Sequence, residues 1–397
     1  MQKSRLPAGG TNLFQAIKAK CAQAEAAGQK LIRLSIGQPT GPALLPARQA
    51  AAQAIMSDQE SMHEYQDNGS PGLPDFAQQF VQRHVQHDLT GLTTAKKIAF
   101  LPLPGIKPML GLIPLACGAA QHFIEVATTT DPGYPTPADW CKYLSANNRH
   151  LTLNPENNFR FGMDQLDGPK NLVMINYPHN PSGQVASREW LEELCAFAQE
   201  HDIRLFNDAA YAMLAHSEEH CTLTDVAADQ SKFPDLSWTE AFSASKLGNM
   251  TGWRVGAIVG SPDFVGDIAT IKGNTDSGFV APMAAGALDL VENHFDQVIK
   301  VRHQYGNRIL MLVDTLTGQG MKLAVKPGGG FFTLWQVPKM AFGQEIQDAQ
   351  YFNFLMIEKT GIVGVHFHPY IRYAVVGPVE DWIGQIETAF KEANVSY

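Results

Sequence analysis

The chain has 397 residues, more than one hydrophobic core usually supports, so two domains are expected. Hydrophobic residues make up 45% and charged ones 17%, which fits a well-buried α/β enzyme and excludes a disordered protein. The 30 Lys and Arg against 39 Asp and Glu leave a net charge of −9, which argues against nucleic-acid or anionic-membrane partners but allows a local cationic pocket.

Thr11 or Asn12 can cap a first helix whose apolar positions Leu13, Phe14, Ile17, Cys21 and Ala24 share one face, with Gly28 placed to end it. Leu31–Ile36 reads as a strand running into the turn Gly37–Pro42. From about residue 47 to 290, helical stretches alternate with short apolar runs: His122–Ala127, Leu172–Asn176, Ile203–Asn207, Trp238–Phe242 and Val255–Gly260. Such alternation implies a mostly parallel sheet covered by helices on both faces. A long helical pattern, Ala287–Leu316, then leads to an α+β texture. Its strands are expected at Leu323–Val325, Gly330–Val337, Val363–His366 and Ile371–Val376, and its helices at Ala349–Lys359 and Trp382–Ala393. The expected division is a large domain over 47–286 and a smaller one built from 1–46 and 287–397.

Cys21, Cys117, Cys141, Cys195 and Cys221 are scattered and form no C-x-x-C pair, the usage of a reducing compartment. No apolar run reaches the ~18 residues that would span a bilayer, and no apolar stretch follows the charged N-terminus. The cytoplasm is expected.

Lys246 stands out among the cations. It follows the apolar stretch Trp238–Phe242, with a hydroxyl at Ser243 and a guanidinium at Arg254. Lysine forms Schiff bases once desolvation or nearby cations make its amine nucleophilic. Other segments end probable strands with polar residues, where open parallel sheets place ligands. These are Asn176–Gly183 with the amide of Asn180, Phe206–Tyr211 with Asp208, and Asp131–Pro135 with the flat ring of Tyr134. Pro104–Pro108 precedes a helical pattern over Met109–Cys117, so Gly105 and the helix start can cradle an anion. Each segment alone has a bland reading as turn, cap or packing residue. Together, an aromatic plate, a carboxylate, an amide, an anion cradle and a Schiff-base lysine are what pyridoxal phosphate (PLP) requires.

The chain resembles the fold-type I, PLP-dependent aminotransferases of class I/II. The matching runs are Tyr65…Gly69–Pro74, Asp131–Pro135, Asn176–Gly183, Asn207–Tyr211, Ser243–Arg254 and Pro327–Phe332, in the family's order. Lys272–Gly278 is similar to a segment of diaminopimelate-pathway aminotransferases. The resemblance implies a large domain with a seven-stranded, mostly parallel sheet plus a smaller α+β domain. It implies that Lys246 bonds covalently to PLP and shuttles the substrate proton. Asp208 would pair with the pyridinium nitrogen, Asn180 and Tyr211 with the phenolic oxygen, and Tyr134 would stack on the ring. Ser243, Arg254 and the backbone around Gly105, Ile106 and Lys107 would hold the phosphate. Arg372 would take the α-carboxylate, with Gly37 where the substrate passes. Tyr65 and Asn274 would reach the phosphate of a neighbouring subunit, so a homodimer is implied.

Three departures from the family pattern fall at Gly105-Ile106, where a Gly-Gly or Ser-Gly pair is common, at Gln38 in place of an acid, and in a shorter loop before Arg372. Gln38, His179, Lys272 and Phe279 are candidates for side-chain selection. His216, His220 and Cys221 have zinc-compatible spacing but read better as a solvated loop, and His84 and His87 as an exposed helix face. No metal is expected. The expected reaction moves an amino group from an amino acid to a 2-oxo acid, with 2-oxoglutarate/glutamate as one pair. The alternatives are an aspartate-type aminotransferase, a PLP-dependent carbon–sulfur lyase and a non-catalytic PLP-binding regulator.

Overall fold

The computed structural model describes residues 13–397, without the side chain of Leu13. The caps read at Thr11 or Asn12, and the facing of Leu13, lie outside the described residues. The first helix runs Leu13–Ala26 and buries Ile17, Cys21 and Ala24, whereas Phe14 stays exposed. Gly28 follows it at φ +89°, a backbone conformation that glycine adopts without penalty.

The expected strand over Leu31–Ile36 shrinks to β1 (Ile32–Arg33), which pairs in parallel with Ile362–Val363. The central sheet contains β2 (Ala99–Leu103), β3 (Glu125–Asp131), β4 (Asn147–Thr152), β5 (Leu172–Ile175), β6 (Arg204–Asp208), β7 (Trp238–Ser243) and β8 (Gly256–Gly260). Its order is β2-β8-β7-β6-β5-β3-β4. Only β8 runs antiparallel to its neighbours, so the sheet is seven-stranded and mostly parallel, as expected. Every residue of β5, β7 and β8 is buried, which explains their uninterrupted apolar runs.

Two strands escape the apolar-run reading, and both lie at sheet edges. β2 carries Pro102, which an edge strand tolerates because it need not donate on both sides. In β4, Asn-Asn-Arg-His-Leu-Thr, only Leu151 is buried. β3 starts three residues later than expected and extends through Thr128–Thr130, whose β-branched side chains suit a strand.

The helix expected over Met109–Cys117 divides into Ile106–Met109 and Leu112–Ala116. The long pattern beginning at Ala287 divides too, into Ala281–Asn293 and Phe295–Gly318, with His294 out of helical geometry at φ −133°. Beyond it lie β9 (Phe332–Gln336), β10 (Met340–Ala341), β11 (Gln344–Glu345), β12 (Ile362–Val363), β13 (Val365–Phe367) and β14 (Tyr370–Ala374). An antiparallel sheet of order β13-β14-β9 packs with the helices Ala349–Thr360 and Val379–Ala393. Leu323–Val325 forms no strand; Leu323 makes one isolated bridge to Trp335.

One core cluster gathers Phe76, Phe80, Trp238 and Phe242, and another Leu101, Ile113, Phe206, Ile258 and Phe264. A third, around Leu34, Phe331, Trp335, Tyr373 and Phe390, joins the segment after β1 to the C-terminal sheet. The first helix packs through Ile17 and Cys21 on Ile357 and Val363. Truncating a fully buried aromatic such as Phe242 or Trp335 to alanine would cost ~3–5 kcal/mol in lost burial and cavity. No described helix is long and apolar enough to cross a membrane.

His84 departs from its reading as an exposed position. Its ring lies 4.5 Å from that of Phe80 and 4.8 Å from that of Phe242, and burial lowers its pKa to about 4.

Candidate active site

Neighbouring parallel strands end together, and polar residues stand at those ends: Asn176 after β5, Asp208 closing β6 and Ser243 closing β7. They open into a cavity of about 910 Å³ whose far wall comes from the first helix, the segment after β1 and β14.

Lys246 lies three residues beyond β7. Its Nζ donates to the Gly37 carbonyl at 2.9 Å and stands 5.8 Å from the centre of the Tyr211 ring. Burial lowers its pKa to about 8; Arg372 and Arg254 push the same way, and Asp208 opposes them. An appreciable fraction of the amine is therefore neutral near neutral pH. Burial raises the Asp208 carboxyl to about 6, against a 3.2 Å hydrogen bond from the Ala210 amide and the attraction of Lys246. Tyr211 is buried and its phenol is pushed up by that burial. Gly330 packs under its ring, where a Cβ would stand 3.6 Å away.

Arg372, in the middle of β14, is 2% exposed. Nη1 donates to Asn180 Oδ1 at 2.7 Å and Nη2 to the Ser35 carbonyl at 3.0 Å. The guanidinium lies 4.2 Å over the Phe332 ring and 5.4 Å from that of Phe367. Among the described residues it has no carboxylate partner, and its Nε has no acceptor. Burial lowers its pKa to about 10. A buried fork with only neutral acceptors is poised for a ligand carboxylate.

On the opposite side, Gly105 sits at φ +82° immediately before the turn of helix Ile106–Met109. A Cβ on Gly105 would run into the Arg254 guanidinium, so glycine is required for both conformation and space. Arg254 Nη1 donates to the Thr251 carbonyl at 2.9 Å. Ser243 is buried with its Oγ accepting from the Ser245 amide at 3.1 Å, Ile106 turns its side chain into the core, and Lys107 stays exposed at the rim. Tyr134 is half-buried on the wall beyond β3. Among the described residues, Lys18, Arg33, Lys107, Lys246, Arg254 and Arg372 line the cavity against one carboxylate, Asp208.

Lys246, Asp208, Tyr211, Asn180, Tyr134, Ile106, Lys107, Ser243, Arg254, Gly37 and Arg372 thus share one cavity, with Gly105 behind Arg254. Tyr65, 77% exposed, and Asn274, bonded to the Thr270 carbonyl, stand outside it. Of the positions weighed for side-chain selection, Gln38 lines the cavity. His179 is buried with Nδ1 2.7 Å from Ser182 Oγ, Lys272 is buried in an ion pair with Asp276 at 2.8 Å, and Phe279 packs on Phe76. None of those three lines the cavity. In the stretch read as a solvated loop, His216, Glu218 and Glu219 are exposed, whereas Cys221 is buried and burial lowers His220 to about 4.

Sequence reading missed Trp140, Thr251, Phe367 and the helix face of Phe14, Ile17, Lys18 and Cys21. The i, i+3, i+4, i+7 spacing marks that face, but only tertiary packing turns it toward the cavity. Asn176 was also missed. Its Nδ2 donates to the Asp208 carbonyl at 2.7 Å and its Oδ1 accepts from the Asn180 amide at 3.1 Å.

Residues 29–374 match the family described as aminotransferase class I and II. The chain belongs to that family. This aminotransferase is 28% identical over 383 residues to the LL-diaminopimelate aminotransferase of Dehalococcoides mccartyi, covering 93% of this chain and 92% of that protein. It is 31% identical over 297 residues to the LL-diaminopimelate aminotransferase of Methanocaldococcus jannaschii, covering 72% and 68%. Its fold matches a single mutant of Thermus thermophilus aspartate aminotransferase with a TM-score of 0.82 at 20% identity, over 97% of each chain.

Proposed function

We propose that this aminotransferase carries PLP on Lys246 and transfers the amino group of a diaminopimelate-type amino acid, LL-diaminopimelate or its N-succinyl derivative, to or from 2-oxoglutarate/glutamate. The observation that carries the reading is the Lys246 amine, with its pKa lowered to about 8, in one cavity with Asp208 and with Arg372, which has no counterion among the described residues.

The residues fit the cofactor. The Arg254 guanidinium, packed against Gly105 beside the start of helix Ile106–Met109, suits a phosphate, and the Arg372 Nε without an acceptor suits a substrate carboxylate. Bound PLP supplies an aldehyde that takes up the amine and a pyridinium ring that draws electrons from the substrate carbon. Ser243, Arg254 and the amides of Ile106 and Lys107 would hold its phosphate, and Tyr134 would cover one face of its ring. Asp208 would keep a proton on the ring nitrogen. Asn180 and Tyr211 would donate to the phenolic oxygen. Lys246 Nζ would then take the proton from the substrate Cα and return it elsewhere. Arg372 orients the substrate through its α-carboxylate, with Gly37 leaving room beside it.

Six cations against one acid support a phosphate-bearing cofactor and an anionic substrate together. The diaminopimelate assignment draws support from relatives with that activity at 28–31% identity. Tyr65 and Asn274, outward here, would complete the phosphate site of a second copy, so the working unit would be a homodimer. Segments 1–46 and 287–397 would form the smaller domain, able to close Arg372 over the substrate held by 47–286. Five free cysteines support a reducing compartment, the cytoplasm.

Replacement of Lys246 by alanine tests the reading: both the visible absorbance of lysine-bound PLP and turnover should vanish, and retention of both refutes it. Screening amino donors against 2-oxoglutarate tests the substrate. Aspartate as the preferred donor would favour an aspartate-type enzyme, and pyruvate with ammonia released without an acceptor a carbon–sulfur lyase.

A further inference from the structure

Glu240 lies on β7, six residues before Lys246, and is 0% exposed. It lines no part of the cavity, and no Lys, Arg or His pairs with it among the described residues. Burying a carboxylate without a cation is costly unless donors replace the lost water. Four do so here. Oε1 accepts from Asn207 Nδ2 at 2.7 Å and from the Leu223 amide at 3.0 Å. Oε2 accepts from the Thr224 amide and the Thr224 hydroxyl, both at 2.7 Å.

Asn207 stands opposite Glu240 in the β6–β7 register and directly precedes Asp208. Its other contacts run to one residue of a third segment. Nδ2 also donates to the Tyr177 carbonyl at 3.1 Å, and Oδ1 accepts from the Tyr177 amide at 2.9 Å. Both amide hydrogens are therefore in use, and the pattern works in one orientation only. A flipped amide would turn Oδ1 against the Glu240 carboxylate and the Tyr177 carbonyl. The Tyr177 N–H and C=O already favour this orientation, and Glu240 Oε1, acceptor of the second amide hydrogen, anchors the amide in it. Burial raises the Glu240 carboxyl to about 7, and its four hydrogen bonds oppose that rise. Tyr177 begins the turn that delivers Asn180 to Arg372.

We propose that Glu240 is a positioning residue of this aminotransferase: its side chain anchors the Asn207 amide, and that amide clamps the Tyr177 turn so that Asn180 meets Arg372 and the cofactor. The second half of that statement rests on the site assignment proposed above. A purely structural Glu240 would stabilise the sheet without affecting the chemistry. Positioning makes activity and Tyr177 protection change together.

The test uses full-length, PLP-saturated enzyme and, beside it, the PLP-free protein. Glu240→Ala should lower kcat/KM by roughly 30–100-fold, raising KM for the amino acid as Arg372 loses its oriented partner. The pH midpoint of the visible PLP band should rise, since a displaced Asn180 no longer stabilises the phenolic anion. Glu240→Gln should recover only part of the loss, because its carbonyl can face Asn207 and Leu223 and the Thr224 hydroxyl can turn to accept, but its NH2 group then meets the Thr224 amide N–H. In the PLP-free protein, amide exchange at Tyr177 should accelerate at least ~10-fold in Glu240→Ala and much less in Glu240→Gln.

A folded Glu240→Ala with wild-type kcat/KM, band midpoint and Tyr177 exchange overturns the proposal, and so does lost stability with those three unchanged. If Glu240→Ala does not fold, Glu240→Gln takes its place: its NH2 group, set against the Thr224 N–H, should loosen the clamp, so wild-type kcat/KM, band midpoint and Tyr177 exchange in that variant overturn the proposal. Wild-type protein that takes up no PLP would refute the cofactor reading instead, and the Tyr177 exchange measurements would still decide the role of Glu240.

Discussion

Lys246 Nζ donates to the carbonyl oxygen of Gly37 at 2.9 Å, joining the residue just past β7 to the turn that follows β1. The same amine is held at a pKa of about 8 by burial, with Arg372 and Arg254 adding to the effect and Asp208 opposing it. Attachment of PLP to cofactor-free protein requires the neutral amine. Its rate should rise with pH and reach half its maximum near pH 8, the value at which half of Nζ has lost its proton. Because Asp208 favours the charged amine, Asp208→Asn should move that midpoint to lower pH. Stopped-flow absorbance across pH checks both, and an upward move in Asp208→Asn would contradict the assignment.

Arg372 offers a second test. Replacing it with alanine removes the carboxylate fork and leaves Asn180 Oδ1 and the Ser35 carbonyl without their donors. KM for the amino acid should rise by roughly 100-fold or more while PLP stays bound. Lysine there should recover only part, since one ammonium cannot reproduce the planar fork. Initial-rate kinetics with PLP-saturated variants measures the split, and an unchanged KM removes Arg372 from the site.

Gly105→Ala should weaken PLP binding by roughly 10–100-fold, because the new methyl needs the space of the Arg254 guanidinium at a backbone angle that L-residues avoid. Fluorescence titration of cofactor-free protein with PLP reads this directly. Arg254→Ala in the same background should add little, since the guanidinium is already displaced.

Lys18 lines the cavity and has no ion-pair partner among the described residues, whereas Arg33 is paired with Glu25 at 2.8 Å. Lys18→Ala should raise KM about 3–10-fold for amino acids with a second carboxylate and leave monocarboxylic ones unaffected, as expected for a solvent-screened contact. Equal effects on both classes would place Lys18 outside substrate selection.

A shared active site predicts complementation. Mixing Lys246→Ala with Tyr65→Ala subunits should restore up to about a quarter of wild-type activity, because each mixed dimer regains one intact site. Reassembly that recovers nothing beyond the weaker parent would argue against Tyr65 crossing to a partner.

The inner strands were legible because burial on both faces leaves unbroken apolar runs, as in Leu172–Ile175 and Trp238–Ser243. β4 was not, since an edge strand needs little apolar surface, and β2 hid behind Pro102. Site residues at strand ends could be read because polar chemistry follows directly on an apolar run: Asp208 after β6, Lys246 after β7. The wall from the first helix carries no such mark, and Lys18 looks like any surface lysine until its helix is docked. Glu240 was invisible for a different reason. An acid inside an apolar strand reads as a flaw in the pattern, and its meaning lies in Asn207 and Thr224 on other segments. Lys272, drawn in by its family segment, lies outside the cavity in a buried ion pair with Asp276, which no apolar or polar run in the sequence announces.

The Arg372 guanidinium, beside the rings of Phe332 and Phe367 and without a counterion among the described residues, has a practical consequence at the bench. Acetate, citrate or tartrate in a storage buffer would settle on it, protecting the protein against heat and slowing the assay at once. Activities recorded in such buffers would understate the enzyme, and melting curves would flatter it.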